Sequence, residues 1–231
     1  MLTSRGGADT LYGEAGDDLL QAGPAGGLLS GGLGDDTLQG GTGADRVSDS
    51  GGADVVSLGA GNDSYIGTGD TATGGDSVSG GDGNDRLWGE DGNDQLFGEA
   101  GDDVIFGGIG NDVMRGGAGA DTLDGGDGSD RYILRADADG AAQVNYGSGD
   151  RVIVTYDDSY PGAGNLTVEQ DGENSRVLLD GRVVAVGDHA DIASRPDAAA
   201  AVEIDHRPHI VMPGFIDPHI HFPQVQVIAS W

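Results

Sequence analysis

The sequence predicts an all-β solenoid, in which short strands wind into a stack of flattened coils, with a β-strand cap and a poorly ordered C-terminal tail. Three observations predict it. Residues 80–108 read GGDGNDRLWGEDGNDQLFGEAGDDVIFGG, and an Asp returns every nine residues, at Asp85, Asp94 and Asp103. A Gly stands two residues before each (Gly83, Gly92, Gly101) and a large apolar residue two after (Leu87, Leu96, Ile105). The third observation is the balance of charge: 40 Asp and Glu stand against 11 basic residues, all Arg, for a formal charge of −29.

Composition alone argues against folding. Gly makes up 46 of 231 residues and aromatics only 5%, so the chain has little to bury and much backbone entropy to lose. Each Gly held in regular structure costs about 0.5–1 kcal/mol relative to Ala. Something must neutralise the acids. The charge argues against nucleic acid or an anionic membrane surface as partner and in favour of cations. There is no Cys, hence no disulfide and no thiolate metal site. No apolar run is long enough for a transmembrane helix. The start, MLTSRGGADT, lacks the apolar core of a secretory signal and begins partway into a repeat, which suggests an N-terminus cut within the array.

Fourteen units of nine fit the chain, starting at residues 4, 13, 22, 31, 40, 49, 58, 71, 80, 89, 98, 107, 116 and 125, with one four-residue insertion, GTGD at 67–70. Position six is Asp in all units but one (Gly27), position four is Gly in all but one (Ala25), and position eight is Leu, Val, Ile, Met or Tyr throughout, from Leu11 to Tyr132. A solvated linker would not hold an apolar residue in register, and a phosphate-binding loop would need a following helix and usually a Lys.

Each position has a physical reason. Gly at positions one, two and four permits a tight turn. The carbonyls of such a turn can face inward as oxygen ligands, and the Asp adds a hard anionic oxygen. That donor set suits Ca²⁺, whose shell is large and flexible, better than Mg²⁺, which demands strict octahedral geometry and keeps its waters. Positions seven to nine form a short strand whose middle residue faces inward. Two units make one coil, coils stack at about 4.8 Å, the inward residues form one apolar ladder, and the turns form two acidic columns. Stacked carboxylates a few ångströms apart repel unless a cation lies between them.

The motif GGxGxDxUx over residues 4–133 resembles the RTX (repeats-in-toxin, haemolysin-type) family. The resemblance implies a right-handed parallel β-roll with Ca²⁺ held between turns eighteen residues apart. By the same resemblance, one site would use Gly81, Gly83 and Asp85 with Gly98, Ala100 and Asp103, and its neighbour Glu90, Gly92 and Asp94 with Gly107, Ile109 and Asp112. Further sites would join Glu99, Gly101 and Asp103 to Gly116, Ala118 and Asp121, and Gly108, Gly110 and Asp112 to Gly125, Asp127 and Asp130. Asp36 (with Gly32 and Gly34) pairs with Asp54, and Asp45 with Asp63, more weakly because the later units lack the leading Gly pair. Empty or distorted sites are expected around Gly27 and across the insertion. The resemblance also implies about ten Ca²⁺, secretion to the extracellular space through type I secretion machinery, and a place as the C-terminal part of a larger secreted protein. No catalytic residue and no protein partner is identified.

Residues 134–187 read as a capping β segment. QVNYGSGDRVIVTY (143–156) is a turn leading into an alternating strand, and hairpin turns are expected at Asp171-Gly172 and Asp180-Gly181. The tail, 188–231, changes character: all five His lie in 189–221. VMPGFIDPHIH (211–221) resembles the first barrel strand of the amidohydrolase superfamily, and FPQVQVIAS after it resembles guanine deaminases. On a strand, His219 and His221 share a face and could bind one Zn²⁺. Two His alone make a weak, open site, and a (β/α)₈ barrel needs about 250 residues, so neither zinc nor enzymatic activity is expected of this chain. The alternative function is that of a guanine-deaminase-like, metal-dependent hydrolase fragment fused to the repeats.

Overall fold

A computed structural model describes residues 1–4, 6–69, 74–135, 140–145, 150–156, 166–171, 174–179, 182–188 and 201–206. The elements of regular structure in these residues are strands, and they alternate between two sheets. The first sheet runs Leu2–Thr3, Leu19–Gln21, Thr37–Gln39, Val55–Ala60, Ser77–Asp82, Gln95–Ala100, Val113–Ala118, Arg131–Arg135, Arg151–Tyr156 and Ala201–His206, all parallel. The second takes the intervening strands Asp9–Ala15, Gly27–Leu33, Arg46–Asp49, Ser64–Gly67, Arg86–Asp91, Val104–Gly110, Ala120–Gly128 and Ala141–Asn145, also parallel. Because the chain changes sheet every half coil, each strand's neighbour is the strand one coil away. This is the expected β-solenoid.

The register is that of the repeat. Leu87 pairs with Ile105 and Leu96 with Met114, each eighteen residues on. Position eight is the inward position: Leu20, Leu29, Leu38, Val47, Val56, Tyr65, Val78, Leu87, Leu96, Ile105, Met114, Leu123 and Tyr132 form one buried ladder. Their flanking residues lie nearer the surface, and Trp88 stacks on Phe106 of the next coil with ring centroids 6.0 Å apart. A strand three residues long buries one side chain, too little to stand alone, so the fold is stable only as a stack.

The insertion does not break the stack. Tyr65 pairs with Leu87, twenty-two residues on, and the regular spacing resumes immediately. Parallel pairing also continues beyond Ile133, through Arg151–Tyr156 to Ala201–His206. At that end Leu166–Asp171, Asn174–Leu179 and Arg182–Asp188 form an antiparallel meander, joined to the second sheet through Ala142 opposite Ala185. The strands of the two expected hairpins are therefore paired, while Gly172, Asp180 and Gly181 lie outside the described residues. Among the described residues no helix is long and apolar enough to cross a membrane.

Candidate metal centre

The position-six carboxylates form two columns, one on each edge of the coil. In each, a backbone amide donates to Oδ1 of the Asp one coil further on. One column runs from Asp45 to Asp63 (2.7 Å), Asp85 (2.8 Å), Asp103 (2.8 Å) and Asp121 (3.0 Å). The other runs from Asp18 through Asp36 (2.7 Å), Asp54 (2.6 Å), Asp76 (2.9 Å), Asp94 (2.8 Å), Asp112 (2.8 Å) and Asp130 (2.9 Å) to Asp150 (3.0 Å). The expected pairs 36/54, 45/63, 85/103, 94/112, 103/121 and 112/130 are thus brought together in adjacent coils.

In six of these carboxylates one oxygen is used in this way and the other is not. Oδ2 of Asp36, Asp54, Asp63, Asp85, Asp103 and Asp112 is buried with no hydrogen-bond partner. A buried carboxylate oxygen lacking a donor is costly, and here the defect recurs coil after coil. These oxygens point into a space lined by other oxygens. A Cβ built on Gly98 would lie 2.6 Å from the carbonyl oxygen of Gly116 and still closer to Oδ2 of Asp103; at Gly107 the same role falls to Gly125, again at 2.6 Å, and Asp112. Glycine at position one therefore keeps a cradle of carboxylate and carbonyl oxygens clear of side chains. Hard oxygens converging with excess negative charge fit a divalent cation such as Ca²⁺.

Burial acts on the charge state of these groups. It pushes the carboxyl of Asp85 up to about 7 and that of Asp112 to about 7, in each case with the next carboxylate of the column adding to it and a backbone amide opposing. Burial, opposed by the Asp112 amide and helped by Asp150, raises Asp130 to about 6. Asp36, Asp45, Asp54, Asp63 and Asp103 shift the same way, again chiefly by burial. The metal-free columns favour protons where a cation is absent.

The other expected ligands take distinct places. At position two, Gly81, Gly108 and the non-glycine residues Glu90 (φ 69°) and Glu99 (φ 78°) share one left-handed turn, a strained geometry for Glu. At position four, Gly83 and Gly101 also have positive φ (129° and 135°), and a Cβ on Gly101 would strike the Gly83 carbonyl of the preceding coil. Gly32, Gly34, Gly92 and Gly110 share this positive φ. At position three, the carbonyls of Ala100, Ile109 and Ala118 accept the amides of Gly83 (2.7 Å), Gly92 (2.9 Å) and Gly101 (2.7 Å) one coil earlier. Ile109, Ala118 and Asp127 present exposed side chains, so only their backbone could serve the site. Gly116 and Gly125, like Gly98, stand at position one beside the carboxylate of their own unit.

Two places depart from the pattern. Gly27 brings no carboxylate of its own to the column, and the neighbouring Asp45 accepts the Gly41 amide of its own unit through Oδ2 (2.8 Å). Across the insertion the amide-to-carboxylate spacing survives, but the Tyr65 hydroxyl donates to Oδ2 of Asp76. His219 and His221 lie outside the described residues.

Sequence reasoning missed three acids and one ladder. Asp76 reads as a position-six Asp but was assigned no site because of the insertion, and Asp150 was hidden by lying twenty residues after Asp130; Asp49 occupies a position that is Gly in most units. The ladder lies at position five. There the amides of Asp35, Asn84, Asp102 and Asn111 donate to the side-chain oxygens of Asp17, Asn62, Asn84 and Asn93 one coil earlier (2.8–3.1 Å). The recurrence of Asp or Asn at that position was the available signal.

Residues 2–24, 30–65, 70–105, 97–132 and 106–140 match the family described as RTX calcium-binding nonapeptide repeat (4 copies), more than half of the chain. The chain belongs to the RTX calcium-binding repeat family. Sixty-two residues, 26% of this chain, are 44% identical to imidazolonepropionase from two strains of Halobacterium salinarum. That enzyme is an amidohydrolase, as the C-terminal motif led us to expect, though not a guanine deaminase. The chain spans 15% of the length of these curated relatives. The crystal structure of the extracellular lipase LipA from Serratia marcescens aligns over 73% of this RTX chain and 39% of its own, with 14% identity and a TM-score of 0.33.

Proposed function

We propose that this RTX chain is a calcium-responsive folding module rather than an enzyme. The observation that carries the reading is the recurrence of buried, partnerless carboxylate oxygens facing one another's coils. Each site is read as the pair of position-six Asp from adjacent coils, with the turn carbonyls assigned in the sequence reading completing the shell. Bound Ca²⁺ supplies the positive charge the columns lack; the residues supply a preset ring of oxygens and exclude competing side chains. About ten ions would offset roughly 20 of the 29 negative charges.

Binding and folding are then one process, because the unfolded chain has no preset site. In a calcium-poor cytosol the acids keep the chain extended; outside the cell, calcium at about 10⁻⁴–10⁻³ M closes the coils. This suits export through type I machinery, and a roll at 4–133 with a cap at 134–187 and a distinct tail at 188–231. Far-UV circular dichroism in chelator, titrated with Ca²⁺ and separately with Mg²⁺, tests the reading. Strand signal should appear with Ca²⁺ and not with equal Mg²⁺; full strand signal in chelator would overturn it.

A second reading has its own support in the identity to imidazolonepropionase. By it, the chain carries part of an amidohydrolase-like unit in which His219 and His221 hold zinc. Metal analysis of the purified chain tests it; no bound zinc would dismiss it, and a guanine deamination assay separates the deaminase form of the reading from other amidohydrolase chemistry.

A further inference from the structure

Position one of the repeat faces inward. Among the described residues where it is not Gly, its side chain turns toward the cradle or the core: Leu58 is 0% exposed, and the Ser4 hydroxyl donates to Oδ2 of Asp9, the position-six carboxylate of its own unit. Asp49 occupies this position in the unit that ends its turn at Asp54, and it is 2% exposed. Its Oδ1 accepts the amides of Gly32 (2.7 Å) and Ser50 (2.9 Å), and its carbonyl accepts the Thr68 hydroxyl (2.6 Å). The carboxylate is therefore fixed from both sides. Its Oδ2 has no partner.

That oxygen enters a site of unusual charge. One ligand oxygen each from Asp36, Asp49 and Asp54 lies within 4.8 Å of the other two. All three residues are at least nine-tenths buried (2%, 2% and 1% exposed), and Oδ2 of each lacks a hydrogen-bond partner. Beside Gly31 the space that elsewhere meets a position-one carbonyl is bounded by both Asp49 oxygens (2.6 Å from a built Cβ) and by Oδ2 of Asp36. No basic side chain is among the groups acting on Asp36 and Asp54. Three fixed carboxylates whose Oδ2 atoms have no donor repel strongly, and a divalent cation relieves that repulsion more here than at a two-carboxylate site.

We propose that Asp49 is an additional cation ligand, and that Asp36, Asp49 and Asp54 together form the tightest calcium site of the array, filled first and joining coils in the N-terminal half before the rest close. The inference rests on the calcium reading above and reverses the ranking the repeat pattern suggests, in which this unit is a weak site for lack of its Gly pair. Affinity in oxygen sites rises with ligand charge.

The probe is Tb³⁺, which takes Ca²⁺-type oxygen sites and emits when a nearby tyrosine is excited. Tyr65 is well placed: its hydroxyl donates to Asp76, whose Oδ1 accepts the Asp54 amide at 2.9 Å. In the full chain the first equivalent of Tb³⁺ should bind about tenfold or more tightly than later ones, with tyrosine-sensitised emission that Tyr65→Phe abolishes without weakening binding. Asp49→Gly restores the repeat motif and so should fold; it should lose the tight equivalent yet keep calcium-induced strand formation. Asp49→Asn, which keeps the shape, should behave alike. If both variants retain the first-equivalent affinity, or if the native chain has no tight equivalent while still folding with calcium, the three-carboxylate site is wrong and the array reading stands. If the native chain and both variants fold identically in chelator, the array reading fails and this site with it.

Discussion

The Asp85 amide donates to Oδ1 of Asp103 at 2.8 Å, and Oδ2 of both residues is buried without a partner. One half of the carboxylate thus holds the backbone of the preceding coil while the other half faces a cavity of oxygens. The same side chain sets the coil spacing and creates the electrostatic defect that a cation removes.

This division of labour predicts a change of sign. Asp103→Asn keeps an acceptor for the Asp85 amide but removes a charge. In chelator the variant should form more strand structure than the native chain, because repulsion within the column falls. With calcium it should be the less stable of the two, with a titration midpoint raised about three- to tenfold, since the 85/103 and 103/121 sites both lose a charged ligand. Circular dichroism titrations of both proteins check this; a variant weaker under both conditions would point to a purely structural Asp.

The cradle can be filled without touching an acid. Gly98 does not have the positive φ of Gly101, so Gly98→Ala adds a methyl group without φ strain; the methyl group crowds Asp103 Oδ2 and the Gly116 carbonyl, 2.6 Å away, which must give way. It should reduce bound calcium by about one ion, measured by calorimetric titration. Gly101→Ala, at φ 135°, should instead destabilise the coil at any calcium concentration, by about 1–3 kcal/mol from backbone strain.

Core and columns share one transition. Leu96 is fully buried between Val78 and Met114 of the neighbouring coils. Leu96→Ala should cost about 2–5 kcal/mol and, because folding and binding are linked, raise the calcium concentration needed for folding although no ligand has changed. Thermal melts at fixed calcium should show the loss, and a rise in free calcium should recover it.

The ladder from Leu20 to Tyr132 was legible because one side chain per half coil must face inward, and a period of nine marks which. The pairing of Asp85 with Asp103 followed from the same period. What period alone could not supply was direction. Asp49 counts in sequence as a missing Gly; only the backbone shows that its side chain enters the cradle beside Asp36 and Asp54. The partnership of Asp54 with Asp76 and of Asp130 with Asp150 was obscured by irregular spacing, which the parallel sheets absorb because pairing is set coil by coil and not by a count along the chain. The position-five amides needed geometry too, since an Asp such as Asp102 reads equally well as a solvated charge.

Protons should stand in for calcium. The carboxyls of Asp85 and Asp112 are raised to about 7 and that of Asp130 to about 6, from an ordinary value of 3.8. A folded-state value above the unfolded one means that the folded chain binds protons more readily, so their contribution is complete below about 3.8 and is lost as pH rises through 6 to 7. In chelator, strand signal should therefore grow as pH is lowered from about 8 to about 5, the reverse of ordinary acid denaturation. With calcium present the trend should invert, because protons compete with the ion for the same oxygens and the calcium midpoint climbs as pH falls. Paired pH series by circular dichroism, with chelator and with calcium, measure both slopes; matching slopes in the two series would mean that the buried carboxylates are not where the ion binds.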